Sequence, residues 1–223
     1  MKSKLGYKIY NNVIKNASSK KLFNSFLQVL KYCDKGRNFK NYSKLKNWDS
    51  PELHNKLISI RKKNKHLFAL IYDVMKKNNS INEFCMSNNL EALAKNFLGI
   101  KKGEVMMRSQ IRMDVPKDKR NTFEWHQDSA YDKLNLFSKN GVVLWIPLLD
   151  ADIDKGALEV KPKSHCEENI YIVKKKYAKF ESPQLIVPDK VLKKYKTEKI
   201  SVNKGSCLGL YANLFHKSGK NLS

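Results

Sequence analysis

The sequence predicts an α+β chain in which helices come first and a β core follows, and three observations carry that reading. Up to Leu98 apolar residues recur at steps of three and four, the spacing that puts them on one face of a helix. After Gly103 the step falls to two, since Val105, Met107, Ile111, Met113 and Val115 alternate with Arg108, Gln110, Arg112 and Asp114 as strand residues do. Composition supplies the third: 223 residues, 41% hydrophobic and 29% charged, describe an ordinary globule long enough to bury a core. The expected organisation is a single domain, with a helical region over 1–103 packing on one sheet of a core that spans 104–223.

Residues 1–17 are weakly patterned and read as irregular or as a frayed helix. From a Ser18-Ser19 cap, Leu22, Phe23, Phe26, Leu27, Leu30 and Cys33 mark an amphipathic helix. The polar, Asn- and Lys-rich stretch from Asp34 to Asn47 reads as a loop. Asp49 or Ser50 caps a second helix, with Pro51 in its first turn, where a missing N–H costs nothing. Leu53, Leu57, Ile60, Leu67, Leu70, Ile71 and Val74 continue it, with an interruption near Asn64. Ser80-Ile81-Asn82-Glu83 has the form of a capping box, and Leu90, Leu93, Ala94, Phe97 and Leu98 carry a last helix to Gly99 at its C′ position.

In the β half, the apolar face of 105–115 is expected against the helices. The polar face aims Gln110 and Arg112 either at a site or at solvent. Pro116 to Asn121 is a charged loop. An Asn140-Gly141 turn leads to a buried strand over Val142–Leu149, and Asp154-Lys155-Gly156 turns into Ala157–Val160. Residues 165–196, Lys- and Tyr-rich with Pro183 and Pro188, read as a long insertion able to cover the core as a lid. Lys204-Gly205 then turns into Ser206–Tyr211, and Asn213-Leu214-Phe215-His216 follows.

The formal charge is +23, with 44 Lys+Arg against 21 Asp+Glu. Such a field attracts nucleic acid, anionic membrane surfaces or phosphorylated metabolites. The lysines nevertheless run from Lys2 to Lys220 with no tail-like block, beside abundant Asn, Ile, Tyr and Phe, as an AT-rich coding sequence would produce. An anionic small-molecule substrate is therefore expected ahead of nucleic acid. No apolar run approaches the roughly 20 residues of a membrane span, and the first residues lack a signal-peptide core, so the expected location is cytoplasmic. Cys33, Cys85, Cys166 and Cys207 form no Cys-x-x-Cys pair and read as free, buried thiols.

The stretch that organises the rest is Trp125-His126-Gln127-Asp128. In an extended strand the side chains of His126 and Asp128 share a face, so an imidazole and a carboxylate converge while Gln127 faces away. Of five histidines, only His126 and His216 lie in strand-like, aromatic-flanked segments, whereas His54 and His66 fall on a Lys-rich helical stretch. Two neutral imidazoles and one carboxylate on one side of a metal suit Fe(II), because three positions stay open.

These residues, together with Arg112-Met113-Asp114-Val115-Pro116, Trp145-Ile146-Pro147-Leu148, Gly156-Ala157-Leu158, Pro162-Lys163-Ser164-His165 and His216-Lys217-Ser218-Gly219-Lys220-Asn221, resemble the phytanoyl-CoA dioxygenase family over roughly residues 104–223. The resemblance implies an Fe(II)- and 2-oxoglutarate-dependent oxygenase on a double-stranded β-helix, a cupin-like jelly roll. It implies His126, Asp128 and His216 as iron ligands and Gln110, Trp145 and Ser218 at the co-substrate. O2 is the further reactant, and the substrate is a small molecule or a carrier-bound acyl group. Trp145 also reads as a core aromatic, and His165 as structural. Asp128 favours hydroxylation over halogenation, since related iron halogenases carry a small residue at that place.

One departure concerns the co-substrate. The family places an Arg about ten residues beyond the distal histidine, to pair with the far carboxylate of 2-oxoglutarate. The sequence ends at Ser223, seven residues past His216. The run from His216 to Asn221 is the usual lead-in to that Arg, so a continuation of the chain is expected; otherwise Arg108, Arg112 or Lys220 substitutes. Two alternatives stand beside the oxygenase: a catalytically silent module on the same fold that holds a polyanion, and a cupin-like metalloenzyme that uses no 2-oxoglutarate.

Overall fold

In the computed structural model, which describes residues 3–39, 41–118, 122–131, 141–175 and 184–223, helices fill the chain up to Leu98 apart from one N-terminal strand, and antiparallel strands dominate the second half. The chain divides into two compact units. Ile14–Glu91 and Met106–Pro116 make a helical unit; Met1–Val13, Ala92–Val105 and Lys117–Ser223 make a β unit that includes most of the last N-terminal helix.

In the helical unit, α1 (Asn16–Asp34) packs on α3 (Lys65–Lys76) and α4 (Ser80–Ser87), and α2 (Pro51–Lys63) packs on α3. Leu22, Phe23, Phe26, Leu30, Ile60, Ile71 and Met75 are buried, and Trp48 packs its ring against Phe23 at 5.0 Å and Phe26 at 5.3 Å. The break at Asn64 is realised: its backbone ends α2, and its Oδ1 accepts from Leu67 N at 3.0 Å to open α3. Two expected caps are corrected. The first helix begins at Asn16, and its start is held by Asn88, whose Oδ1 accepts from Lys15 N at 2.7 Å. Ser80 is not a cap but the first residue of α4, with its hydroxyl buried and without a partner among the described residues, while Glu83 pairs with Lys21 at 2.8 Å.

The loop after α1 is organised on Asp34, which is fully buried. Its carboxylate accepts from the backbone N–H groups of Asn38 and Phe39 and from the Tyr42 hydroxyl. Burial pushes the Asp34 carboxyl up, but the hydrogen bonds from Asn38, Phe39 and Tyr42 outweigh it and hold the group below the usual aspartate range. A depressed folded-state pKa stabilises the fold above the ordinary aspartate value, and that contribution is lost as pH falls through the folded one. Asp34→Ala leaves four donors unmet, the buried Phe39 N–H and the part-buried groups of Asn38 and Tyr42, and is expected to cost about 2–4 kcal/mol in urea unfolding at neutral pH, with a smaller difference in acid.

In the β unit, α5 (Leu90–Leu98), whose first two residues count with the helices, ends at Gly99 in the left-handed region, with Ile100 N donating back to Lys95 O at 2.9 Å as the sequence indicated. One sheet has the order β1 (Tyr7–Tyr10), β7 (Cys207–Tyr211), β2 (Val142–Trp145), all antiparallel. Strand β1 corrects the reading of 1–17 as irregular. Its register, Tyr7 opposite Leu210 and Ile9 opposite Leu208, is set by a partner some 200 residues away. Central β7 is buried on both faces. A Cβ on Gly209 would meet Phe97 at 3.1 Å and Tyr10 at 3.3 Å, so the glycine lets helix and strand approach. The second sheet runs β6 (Glu198–Ile200), β3 (Leu158–Val160), β8 (His216–Lys217). Phe97, Leu158, Val160, Ile200, Leu208, Leu210 and Leu214 form the shared core.

Three further expectations change. The alternating stretch 105–115 is irregular, because alternation without a ladder partner does not make a strand. Strand β2 stops at Trp145, two residues before Pro147, which has no N–H for a ladder. The insertion expected over 165–196 carries structure of its own: β4 (Val173–Lys175) pairs with β5 (Gln184–Ile186), and α6 (Asp189–Leu192) puts Val191 and Leu192 with Val187 and Phe215 in a small core. Lys119, Arg120 and Asn121 of the charged loop, Asn140 of the turn and 176–183 of the expected lid lie outside the described residues. No helix among the described residues is long and apolar enough to cross a membrane.

All four cysteines are free, but Cys166 is exposed, which corrects the expectation that every thiol is buried. Burial pushes the Cys33 and Cys85 thiols up, and that of Cys207 to about 12. Alkylation of the folded protein near pH 8 is therefore expected to label Cys166 alone, with the other three reacting only on unfolding.

Candidate metal centre

His216 opens β8, the strand that follows the buried run Ala212–Phe215. On one side it pairs with Val160 of β3; on the other it pairs with His126. His126 N donates to His216 O at 3.0 Å, and His216 N to His126 O at 3.1 Å. Residues that exchange both bonds stand directly opposite and project their side chains to one face. The two ring centroids accordingly lie 4.2 Å apart.

Asp128 does not continue the strand, as the sequence reading supposed. It begins a 3-10 turn, Asp128–Tyr131, tied down by Ser129 N donating to Ala212 O at 3.0 Å. The convergence survives the change of backbone. Asp128 Oδ1 lies 3.2 Å from His126 Nε2, and its Oδ2 lies 3.7 Å from His216 Nε2. One donor atom from each residue falls within 4.8 Å of the others.

Both rings are oriented by their own strands. His126 Nδ1 is 2.7 Å from Glu124 O, and His216 Nδ1 is 2.9 Å from Leu214 O. A carbonyl only accepts, so Nδ1 carries a proton in each ring, and in the neutral imidazole this leaves Nε2, on the Asp128 side, as the atom that can bind a metal. The imidazoles are buried, at 6% and 5% exposure, while the Asp128 side chain is 37% exposed, so the group opens to solvent on the carboxylate side. Two imidazole lone pairs and a carboxylate aimed at one point fit a divalent metal with open coordination positions.

The strand carrying His126 is bulged. Ser218 N donates to Phe123 O, so Phe123 to His126 on one strand faces Ser218 to His216 on the other, with one residue extra on the metal strand. Glu124 falls out of the ladder: its carbonyl accepts from His126 Nδ1, and its N–H donates to Gln184 Oε1 at 2.9 Å. Gln184 Nε2 donates in turn to Thr122 O at 3.0 Å, and Val187 N to Trp125 O at 2.9 Å, which docks β5 along the metal strand.

Phe123 and Tyr131 wall one side of His126, at 5.2 and 5.8 Å between centroids. Burial pushes the Tyr131 phenol up, its hydrogen bonding with the Leu185 backbone partly offsets this, and the Asp128 carboxylate adds to the rise. Lys161 and Lys217 both place their ammonium groups over the Trp125 ring. Gln127 is 1% exposed; its amide donates to Asn169 O and Asn213 O and accepts from Tyr171 N, so it ties the metal strand to the loop that leads into His216.

The remaining sequence candidates fall as follows. Ser218 is half-buried, and its Oγ accepts from Phe123 N at 3.0 Å. Trp145 pairs with Leu208 in the β2–β7 ladder and packs half-buried on the core. Gln110 is exposed on the irregular segment counted with the helical unit, as are Arg108 and Arg112, the latter 3.3 Å from Asp114. Lys220 is exposed, and its carbonyl accepts from Gly156 N. His165 stacks flat on Tyr211 at 5.0 Å, which supports its structural reading. Tyr131 and Gln184 were not singled out from the sequence. The only signal for Gln184 was an amide at the head of the apolar run Leu185-Ile186-Val187.

A family model described as Phytanoyl-CoA dioxygenase (PhyH) matches residues 23–223. None of the curated proteins matches the chain in sequence. Among solved structures, it is similar to the epimerase SnoN in complex with Fe3+, alpha ketoglutarate and nogalamycin RO, at 13% identity and TM-score 0.52, covering 99% of this chain and 75% of that one. It is also similar to a second structure of SnoN, a non-haem alpha ketoglutarate dependent epimerase from nogalamycin biosynthesis, at 12% identity and TM-score 0.54, covering 99% and 74%. AviO1 from Streptomyces viridochromogenes Tue57 is matched at 18% identity and TM-score 0.48, covering 98% and 84%.

Proposed function

The chain belongs to the phytanoyl-CoA dioxygenase family, and on that premise we propose that it is an Fe(II)- and 2-oxoglutarate-dependent dioxygenase that hydroxylates a small-molecule or carrier-bound substrate. In the overall balance one oxygen atom of O2 enters the substrate, and the other enters the succinate left when 2-oxoglutarate loses CO2. The observation that carries the reading is the approach of two Nε2 lone pairs and the Asp128 carboxylate within 4.8 Å, each ring fixed by a backbone carbonyl. The antiparallel sheets meeting in one core support a double-stranded β-helix as the framework.

His126, Asp128 and His216 would hold the iron, which together with 2-oxoglutarate supplies the oxidising chemistry. The protein's own part is placement and shielding. The Glu124 and Leu214 carbonyls keep both rings in the tautomer that binds metal. Phe123 and Tyr131 exclude water on the His126 side. Ser218 accepts from Phe123 N through one lone pair, and its hydroxyl proton would donate to the far carboxylate of the co-substrate. Trp145, half-buried, would back that pocket from the core side.

SnoN is an epimerase, so the coupled outcome is itself to be tested. With Fe(II), O2 and a converted substrate, we expect succinate to appear in step with a product one oxygen atom heavier. A product of unchanged mass would replace hydroxylation by epimerisation, and His126→Ala turning over 2-oxoglutarate at the parent rate would remove the iron reading.

A further inference from the structure

Resting on the metal reading above, we infer that Gln184 is a positioning residue for the metal centre: it holds the bulged Glu124 peptide whose carbonyl sets the orientation of the His126 ring. The bulge creates the need. Because Glu124 is out of register with β8, neither of its backbone groups has a ladder partner there. Unpaired, that peptide would rotate toward whatever donor or acceptor it could reach, water included.

Gln184 meets this need with both ends of its amide. Oε1 accepts from Glu124 N at 2.9 Å and Nε2 donates to Thr122 O at 3.0 Å, so the side chain stands in for a stretch of neighbouring strand across the bulge. Gln184 is only 6% exposed, so its amide itself has little access to water. The Glu124 N–H and C=O belong to adjacent peptide planes that meet at one Cα, so fixing the N–H leaves only the φ and ψ of Glu124 to place its carbonyl, the acceptor of the 2.7 Å bond from His126 Nδ1. Gln184 is itself held in place, since its strand is fixed on either side. Val187 N donates to Trp125 O at 2.9 Å, and Leu185 N donates at 2.8 Å to the hydroxyl of Tyr131, three residues past Asp128. The segment that the sequence presented as a cover thus serves as a splint on the back of the metal strand.

The test uses Co(II), whose visible absorption reports ligand geometry without turnover. In Gln184→Leu the Co(II) dissociation constant is expected to rise about 10- to 100-fold, the range seen when a partner behind a ligand is lost, with an altered spectrum. Gln184→Glu keeps an acceptor for Glu124 N–H but loses the donor to Thr122 O, so a rise smaller than that of Gln184→Leu is expected. Melting of the metal-free proteins separates this from general damage: a purely structural role lowers the melting temperature and leaves the Co(II) spectrum of the folded fraction unchanged. Gln184→Leu that folds and binds Co(II) as the parent does, while His126→Ala is defective, overturns the inference alone. Should Gln184→Leu fail to fold, Gln184→Met decides: weakened Co(II) binding with an altered spectrum in the folded protein supports the role, and parent-like affinity and spectrum overturn it. A parent protein that takes up no Co(II), or His126→Ala that takes it up equally well, removes the metal centre and this inference with it.

Discussion

His126→Ala is expected to weaken Fe(II) binding by at least about 100-fold while the metal-free protein still folds. The figure follows from position. Losing a partner behind a metal-binding histidine costs about 10- to 100-fold, and here a donor itself is removed, leaving Asp128 and His216 alone. The fold survives because both ladder bonds between positions 126 and 216 are made by backbone atoms, which alanine keeps. What goes is the ring, with its contacts to Phe123, Tyr131 and His216, for which a loss of about 1–3 kcal/mol is appropriate. Anaerobic equilibrium dialysis measures the first quantity and thermal melting the second. His165→Ala is the matched control. That ring stacks on Tyr211 away from the three donors, so its loss is expected to lower the melting temperature and leave iron affinity alone.

Gly219→Ala carries the second large effect, and it acts through packing. Three residues beyond His216 the chain crosses the Gly156 turn so closely that a Cβ at 219 would overlap the Ala157 carbonyl oxygen, with Ala157 C at 2.9 Å and Gly156 C at 3.2 Å. Every atom it meets is backbone, so no side chain can swing aside. The crossing is fastened on both flanks, by Gly156 N donating to Lys220 O at 3.1 Å and Leu222 N to Asp154 O at 2.8 Å. The methyl group must break these bonds or displace β8. A loss of about 3 kcal/mol or more is expected, which for a chain of this size lowers the melting temperature by roughly 6–12 °C. Displacement of β8 carries His216 with it, so iron affinity should fall as well. An unchanged melting temperature would contradict so close a crossing.

The convergence of His126, Asp128 and His216 was legible in sequence because its parts are local: one imidazole and one carboxylate two positions apart, and one more histidine in a strand-like setting. The Asn64 break and the Gly99 stop were legible for the same reason, each being written within a single turn of chain. What sequence hid depends on partners far along it. Strand β1 exists because β7 offers an edge, and the 105–115 alternation finds no such edge among the described residues. Lys15 N is capped by Asn88 and the Glu124 peptide is held by Gln184, pairings that no window of a few residues contains. The site's donor set was therefore predictable, whereas the scaffolding that aims it was not.

The most direct measurement is the anomalous scattering of crystals grown anaerobically with Fe(II), recorded on either side of the iron edge. The account predicts a single strong peak about 2 Å from His126 Nε2, His216 Nε2 and an oxygen of Asp128. A well-ordered site with no peak between those three atoms, or iron bound instead by other side chains, would contradict it.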